Sequence, residues 1–133
     1  MQLIEKVQAY RTICRMMTEE WDFSFIYPLV CLLADLAPDY EYFSGEEMKL
    51  VALYGKKEDD GTVVLDAAGR FNFADTASAA AYEAAHRGLC ATDTAPLPKR
   101  KLACPDHIRG QWLNALLPFC EFQKAGDPHG QTA

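Results

Sequence analysis

Two histidines and two cysteines in the second half of the chain have the residue types of a zinc site. They are His86, Cys90, Cys104 and His107, in the order His-x3-Cys-x13-Cys-x2-His. Two thiolates and two imidazoles form an adequate tetrahedral ligand set. The spacing is not that of a common zinc motif, and free cysteines are often buried in helical cores. We therefore expect no bound metal and no cofactor, and keep a zinc-stabilised protein that uses these residues as the alternative.

The sequence contains no pattern that is typical of a catalytic site. Gly-x-Ser-x-Gly is absent, and the eight glycines form neither a dinucleotide-binding nor a phosphate-binding loop. Cys104 and His107 could act as a thiol and its base, but nothing marks a third group that would orient the pair. Adjacent acids such as Glu46 and Glu47 face different directions on a helix, as on a solvated surface. We expect a non-enzymatic protein without catalytic residues, and an unrecognised small hydrolase as a second alternative.

Bulky aromatic side chains near the C-terminus allow two interpretations. As core residues, Trp112, Phe119 and Phe122 would hold the last helix against the rest of the chain. On the surface they would be anchors for a partner protein or for a second copy of the chain. The core is favoured because a chain of this length must bury most of its large side chains. A surface position would instead make these three residues the partner-binding site.

Hydrophobic spacing predicts three helices in the N-terminal part of the chain. The first covers about residues 3–20. The second covers about residues 24–37, is apolar nearly all round and ends before Pro38. The third begins at a capping box at residues 44–47 and ends at Gly55, which can take a left-handed conformation without a penalty. The stripe that we expect to be buried in the first helix is Leu3, Val7, Tyr10, Cys14, Met17 and Trp21.

The hydrophobic pattern changes after these helices. A charged turn ending at Gly61 comes first, and a second turn ends at Gly69. Residues 62–65 and 70–73, on either side of the second turn, predict one β-hairpin. An alanine-rich helix over about residues 76–89, capped by Asp75 or Thr76, follows. After it come an extended segment at 96–98 and a last helix over about residues 105–119. Because helices precede and follow the hairpin, this order argues against βαβ units. The predicted fold class is α+β, predominantly α-helical.

Composition limits the kinds of protein that the chain can be. Its 133 residues, 50% of them hydrophobic, predict a single globular domain over residues 1–124 and a mobile tail at 125–133. The net charge is −6, which disfavours nucleic-acid binding. The most apolar stretch, residues 25–34, is shorter than the roughly 20 residues of a membrane span. Five scattered cysteines fit a reducing cytosol. We expect a cytoplasmic protein that binds neither membranes nor nucleic acids.

Residues 48–61, together with residues 69–73, Tyr82 and residues 89–93, resemble a family of small uncharacterised proteins of tailed bacteriophages and prophages. The shared pattern is a helical pair ending in an apolar-x-x-Tyr-Gly turn, an acidic Asp-Gly turn, a short hairpin, and a helix that ends in Leu-x-x-Thr. The resemblance covers about residues 5–95 and assigns no functional residue. It implies a phage-encoded protein of the bacterial host cell, without established enzymatic activity, that serves virion assembly or binds a phage or host protein. We therefore expect a protein-binding or assembly module that binds a protein partner or itself.

Overall fold

The computed structural model describes residues 1–124, and the tail predicted at 125–133 lies outside the described residues. Within the described part, the elements are α1 (Leu3–Met16), α2 (Phe23–Tyr54), α3 (Thr76–Cys90), β1 (Arg100–Cys104), α4 (Gly110–Leu116) and β2 (Cys120–Lys124). The predominantly helical α+β class is confirmed. The layout differs from the prediction in α2, in the segment that follows it, and in the C-terminal region.

The long helix α2 is the element against which α1, α3 and β1 pack. Its inner face is buried and consists of Phe25, Leu29, Leu32, Leu36 and Phe43. Three acidic side chains of α2 each bind a basic group of a different neighbour: Asp39 binds Lys6 of α1, Asp35 binds Arg100 of β1, and Glu47 binds His86 of α3. Apolar burial and these three polar contacts fix which side of α2 faces its neighbours.

Helix α1 is shorter than predicted and turns a different face inward. Its buried residues are Leu3, Lys6, Val7, Ala9, Thr12, Ile13 and Met16. Two members of the predicted stripe, Cys14 and Met17, are exposed instead. A stripe of strict 3.5-residue spacing drifts around a straight helix, and α1 packs against both α2 and α4, which widens its buried face. The ammonium of Lys6 is buried with its stem and lies 3.0 Å from the Asp39 carboxylate.

The break predicted at Pro38 does not occur, because α2 is one helix of 32 residues that includes both Pro28 and Pro38. Ser44, the predicted N-cap of a separate helix, therefore lies inside α2. An interior proline removes one backbone hydrogen bond and costs about 3 kcal/mol. Burial of Leu36 before Pro38 and of Phe43 after it, on the same inner face, offsets that cost and keeps the helix continuous.

The segment between α2 and α3 is not the predicted hairpin of two strands. Isolated antiparallel bridges join Gly55 to Phe73, Lys57 to Val63 and Leu65 to Phe71. The chain reverses direction at the charged turn before residue 62 as well as at the turn that follows residue 65. Val63 therefore pairs with Lys57, which precedes it, and Leu65 pairs with Phe71, which follows it. Each bridge joins a single pair of residues, so the pairings do not extend into the regular strand ladder of a hairpin. The two tight turns place Gly61 and Gly69 at φ values of 85° and 78°, which favour glycine.

The alanine-rich helix and its predicted cap are confirmed. Helix α3 begins at Thr76, and Asp75 Oδ1 accepts a hydrogen bond of 2.7 Å from the backbone N–H of Ser78. No residue of α3 is fully buried. Its half-buried Tyr82 packs on the rings of Phe71 and Phe73, with ring centroids 5.5 and 5.2 Å away. Aromatic side chains of the bridged segment therefore pack against the middle of α3.

The C-terminal region contains a βαβ unit where a single helix over residues 105–119 was predicted. Only residues 110–116 are helical, and β1 and β2 pair in parallel with Leu102 opposite Phe122. The two strands lie just outside the predicted helix and were not assigned from the sequence. Leu102 is buried between two exposed residues, and Cys120 is buried before an exposed one, an alternation typical of strands. Parallel pairing requires a crossover connection, and α4 lies in it.

Candidate functional site

Trp112 and Phe119, two of the three predicted partner-binding residues, belong to the core. Trp112 is 5% exposed and Phe119 is 0% exposed, and both pack in the cluster formed by α1, α2, α4 and the sheet. Phe122 is half-buried against the same cluster. Their assignment as surface anchors is therefore wrong for Trp112 and Phe119, because the parallel strand pair places this part of the chain against α1 and α2. The core interpretation that the sequence favoured is the one observed.

The four candidate metal ligands lie in two separate places. His86 and Cys90, one helical turn apart on α3, face the second half of α2. His107 instead stacks on Trp21 beside the start of α2, with ring centroids 4.5 Å apart, and Cys104 is the last residue of β1. Residues 1–124 contain no group of three or more His, Cys, Asp or Glu side chains that could hold a metal ion. The predicted four-residue set is therefore not assembled.

His86 is nevertheless the centre of a polar contact that links α2 to α3. Its Nε2 lies 2.8 Å from Glu47 Oε2, and its Nδ1 lies 3.6 Å from Cys90 Sγ. Tyr82 stacks on the imidazole at a centroid distance of 5.4 Å, and the ring of Phe43 meets it edge-on at 5.7 Å. We call Glu47, His86, Cys90 and Tyr82 the imidazole cluster. Its two polar partners bind opposite sides of the ring and do not converge on one point.

The imidazole cluster has the connectivity of a cysteine nucleophile with its base, but its electrostatics favour the neutral thiol. In the tautomer that carries the ring proton on Nε2, Nε2 donates to the Glu47 carboxylate and Nδ1 accepts from the Cys90 thiol. Burial raises the pKa of the Cys90 thiol, Glu47 raises it further, and Arg11 lowers it in part. Cys90 is also the last residue of α3, where the helix dipole disfavours a negative charge. The cluster therefore holds α3 to α2 and keeps the thiol protonated.

The solvent-facing side of α2 is the second candidate site. Residues at intervals of three or four positions along the whole helix are all exposed, and we call them the outer face: Phe23, Tyr27, Val30, Ala34, Pro38, Glu41, Gly45, Met48 and Ala52. Only one of these nine residues, Glu41, is charged. Phe23 is 74% exposed and Met48 is 72% exposed. A long helix in a water-soluble fold normally carries charged residues on this side, so the outer face is unusually poor in charge for a solvent-facing helix surface.

A polar groove of about 480 Å³ lies between α1 and α4. Its lining includes Gln8 and Arg15 of α1 and Gln111 and Asn114 of α4. These amide and guanidinium groups can bind a small polar molecule. Neither a thiol nor an imidazole lines the groove, and its one carboxylate, Glu5, accepts a hydrogen bond of 2.9 Å from the backbone N–H of Gln2. The groove therefore offers polar groups for binding, and its lining contains no thiol or imidazole that could act as a catalytic base or nucleophile beside the Thr12 hydroxyl.

By length and hydropathy alone, α2 could also cross a membrane, and only about a fifth (22%) of its most apolar 18-residue window is buried inside the protein. Core helices of soluble proteins meet the same criterion.

Comparison with known proteins identified no relative: no protein-family model, no curated protein and no solved structure matches the chain.

Two functional features were missed by the sequence analysis. Glu47, which binds His86, was interpreted as part of a solvated acidic pair and as a capping residue, because its partner is 39 positions away. The outer face was missed because its residues were divided between two predicted helices. The signal was present in the apolar spacing of residues 23–52, but only a continuous helix places those residues on one side.

Proposed function

We propose that this chain is a non-enzymatic protein-binding or assembly module that binds its partner through the outer face of α2. The observation that supports the proposal is the alignment of exposed apolar side chains along a single helix of 32 residues. Isolated surface hydrophobic residues are common, but contiguous exposed apolar patches mark interaction sites. The outer face extends from Phe23 to Ala52, and a partner helix or groove could cover it over most of this length.

The inner side of α2 is held in a way that presents the outer face in a fixed orientation. The Asp35 carboxylate lies 2.7 Å from the Arg100 guanidinium, and Asp39 lies 3.0 Å from the ammonium of Lys6. Together with the buried leucines of the inner face, these contacts oppose rotation of α2 about its axis. A surface that is fixed before binding loses little conformational entropy when the partner binds.

We also propose that a phage or prophage gene encodes this chain and that the protein acts in the cytoplasm of the bacterial host. The resemblance over residues 5–95 supports this part. The genes beside the coding sequence test it, since portal, tail or capsid genes are expected there. A neighbourhood of metabolic genes would contradict the phage assignment without affecting the assignment of the outer face.

The zinc-stabilised protein is less well supported, because His86 and Cys90 supply two ligands while Cys104 and His107 lie elsewhere. Elemental analysis of the purified protein tests it directly. Stoichiometric zinc, and a melting temperature that falls when a chelator is added, would favour this alternative over the assembly module.

The binding function itself is tested by removing apolar area from the outer face. The double variant Phe23→Ser/Met48→Ser changes two of its most exposed side chains, so the fold should be retained, as a far-UV circular dichroism spectrum can verify. Size-exclusion chromatography with light scattering, over a range of protein concentrations, measures self-association. Isothermal titration with each product of the neighbouring genes measures association with other proteins.

The matched control is Leu65→Ser, which removes an apolar side chain that is 59% exposed from the bridged segment. We expect association of the wild-type chain with itself or with one of these proteins, its loss in the double variant, and its retention in the control. Wild-type protein that associates with nothing, or association that survives in the double variant, would contradict the proposal.

A further inference from the structure

We propose that the occupant of the outer face is the same face of a second copy of this chain. In this dimer the two α2 helices are antiparallel and related by a twofold axis that passes between Ala37 and Pro38, the midpoint of the outer face. The inference rests on the proposed function, because it names the partner for that surface. Closed twofold dimers are the commonest form of protein self-association, and they need a surface that is complementary to itself.

The sizes of the side chains make the outer face complementary to itself in the antiparallel direction. Its first half carries Phe23, Tyr27 and Val30, and its second half carries Gly45, Met48 and Ala52. Antiparallel pairing places Phe23 opposite Ala52, Tyr27 opposite Met48 and Val30 opposite Gly45. Parallel pairing would instead place phenylalanine on phenylalanine and glycine on glycine, which leaves clashes at one end and voids at the other. Dense packing without voids favours the antiparallel arrangement.

The middle of the outer face fits the point at which two helices cross. Packed helices approach most closely at the crossing point and diverge on either side of it. The short residues Ala34 and Pro38 lie beside the proposed axis, and Glu41, whose carboxylate can extend to water, lies opposite Ala34 of the other copy. The bulkiest residues, Phe23, Tyr27 and Met48, lie toward the ends. Antiparallel helix dipoles also attract each other, whereas parallel dipoles repel.

The area of the outer face is sufficient for a weak dimer. From Phe23 to Ala52 a helix extends about 44 Å, and a strip about 11 Å wide covers roughly 500 Å² per copy. Because the helices diverge toward their ends, the pair buries at most roughly 1,000 Å², which lies at the lower limit for a specific interface. We expect a dimer that dissociates on dilution, weakened further by the exposed carboxylate of Glu41 on each copy.

A charge introduced on each side of one predicted contact tests both the partner and the direction of pairing. Tyr27→Lys and Met48→Glu change exposed positions, so each variant should fold. Each alone places an unpaired charge at two symmetry-related contacts and should raise the dimer dissociation constant roughly 100-fold or more. When the two variants are mixed, the new ammonium faces the new carboxylate at one contact, and the other contact is unchanged. Sedimentation velocity should then show a dimer of one copy of each variant.

The remaining control is Leu65→Lys, which introduces a charge at an exposed apolar residue outside α2 and should leave the dimer unchanged. Failure of the two variants to dimerise on mixing, when the wild-type chain dimerises, overturns the antiparallel arrangement. A wild-type chain that is monomeric at every concentration, but binds another protein through the outer face, overturns the second copy as partner and leaves the proposed function intact. A monomeric chain that instead sediments with phosphatidylglycerol vesicles, and loses this binding in the uncharged double variant Phe23→Ser/Met48→Ser, overturns both.

Discussion

Gly55 follows the last residue of α2, where the chain turns into the bridged segment. A Cβ at this position would lie 2.6 Å from the carbonyl oxygen of Val51 and 3.1 Å from Cγ1 of Val63. The backbone φ is −72°, which any residue can adopt, so the left-handed conformation expected from the sequence is wrong. Glycine is needed here for space and not for its conformational freedom.

This close approach predicts that Gly55→Ala destabilises the protein. Because the nearest atom belongs to the backbone of α2 and cannot move aside easily, we expect the free energy of unfolding to fall by about 2 kcal/mol. Urea denaturation followed by far-UV circular dichroism measures it. Gly88→Ala is the matched control: it lies inside α3 with nothing within 4 Å of the added Cβ, and it should gain about 0.5–1 kcal/mol. Equal effects of the two substitutions would contradict this account.

Cys120 is a buried thiol at the start of β2, only 2% exposed to solvent. Burial raises its pKa to about 11, although the nearby Arg100 guanidinium lowers it in part. A thiol that ionises less readily in the folded chain than in the unfolded chain stabilises the fold below the unfolded pKa of about 8.5–9. That contribution is lost as the pH rises through 11.

We therefore expect the stability difference between wild type and Cys120→Ala to shrink as the pH rises from 9 to about 11. Urea denaturation at several pH values, with the two proteins measured side by side, gives that difference free of the other titrating groups. Cys14→Ala on the exposed side of α1 is the control, since an exposed thiol is in contact with water in both states. A difference for Cys120→Ala that stays constant over this pH range would show that the thiol is accessible to water in the fold.

At the scale of the element, α2 shows how packing overrides local backbone preference. Pro38 has no N–H to donate to the carbonyl of Ala34, yet the helix continues past it for 16 residues. Pro38 itself is exposed, so its ring contributes little to the core. The continuity of α2 is maintained by the buried residues on its inner face.

Replacing this proline should stabilise the chain. Pro38→Ala restores one backbone hydrogen bond in the middle of α2, and we expect a gain of about 2 kcal/mol in the free energy of unfolding. Thermal and urea denaturation in dilute solution, where dimerisation does not contribute, measure the gain. Pro98→Ala, at an exposed position outside every helix and strand, should change stability by less than about 0.5 kcal/mol. A loss of stability in Pro38→Ala would mean that a proline-induced bend is required for the packing of α2.

At the scale of the whole molecule, burial is concentrated at one end. Half of the residues of α1 are buried, whereas α3 contains no fully buried residue, and the segment from Gly55 to Phe73 is held by isolated bridges. Regions with few buried apolar contacts open more readily than the core. The imidazole cluster links α3 to α2, and the aromatic contacts of Tyr82 with Phe71 and Phe73 link α3 to the bridged segment.

Native-state hydrogen exchange should therefore show two levels of protection. We expect backbone amides of residues 55–80 to exchange through local opening, much faster than those of α1 and of the first half of α2, which exchange only on global unfolding. Mass spectrometry of peptic fragments at neutral pH resolves these segments. His86→Gln, which removes the imidazole between Glu47 and Cys90, should accelerate exchange in α3 and leave α1 unchanged. Uniform protection along the chain would contradict this division.

The amino-acid sequence by itself determined the local features that depend on near neighbours. The predominantly helical class, the cap at Asp75, the glycine turns at Gly61 and Gly69, and the end of α2 at Tyr54 all follow from residues a few positions apart. Such features need no knowledge of distant residues, because capping, turn conformation and helical periodicity are local properties. The phage origin, the cytoplasmic location and the binding function stay predictions.

Only the tertiary structure decided the features that depend on distant residues. The passage of α2 through Pro38, the parallel pairing of β1 with β2, the burial of Trp112 and Phe119, and the separation of Cys104 and His107 from His86 and Cys90 are set by which surfaces meet. The physical reason is the same in each case. A local cost, such as a missing hydrogen bond at Pro38, is accepted when burial across the fold releases more free energy, and that burial is not encoded in any short window of sequence.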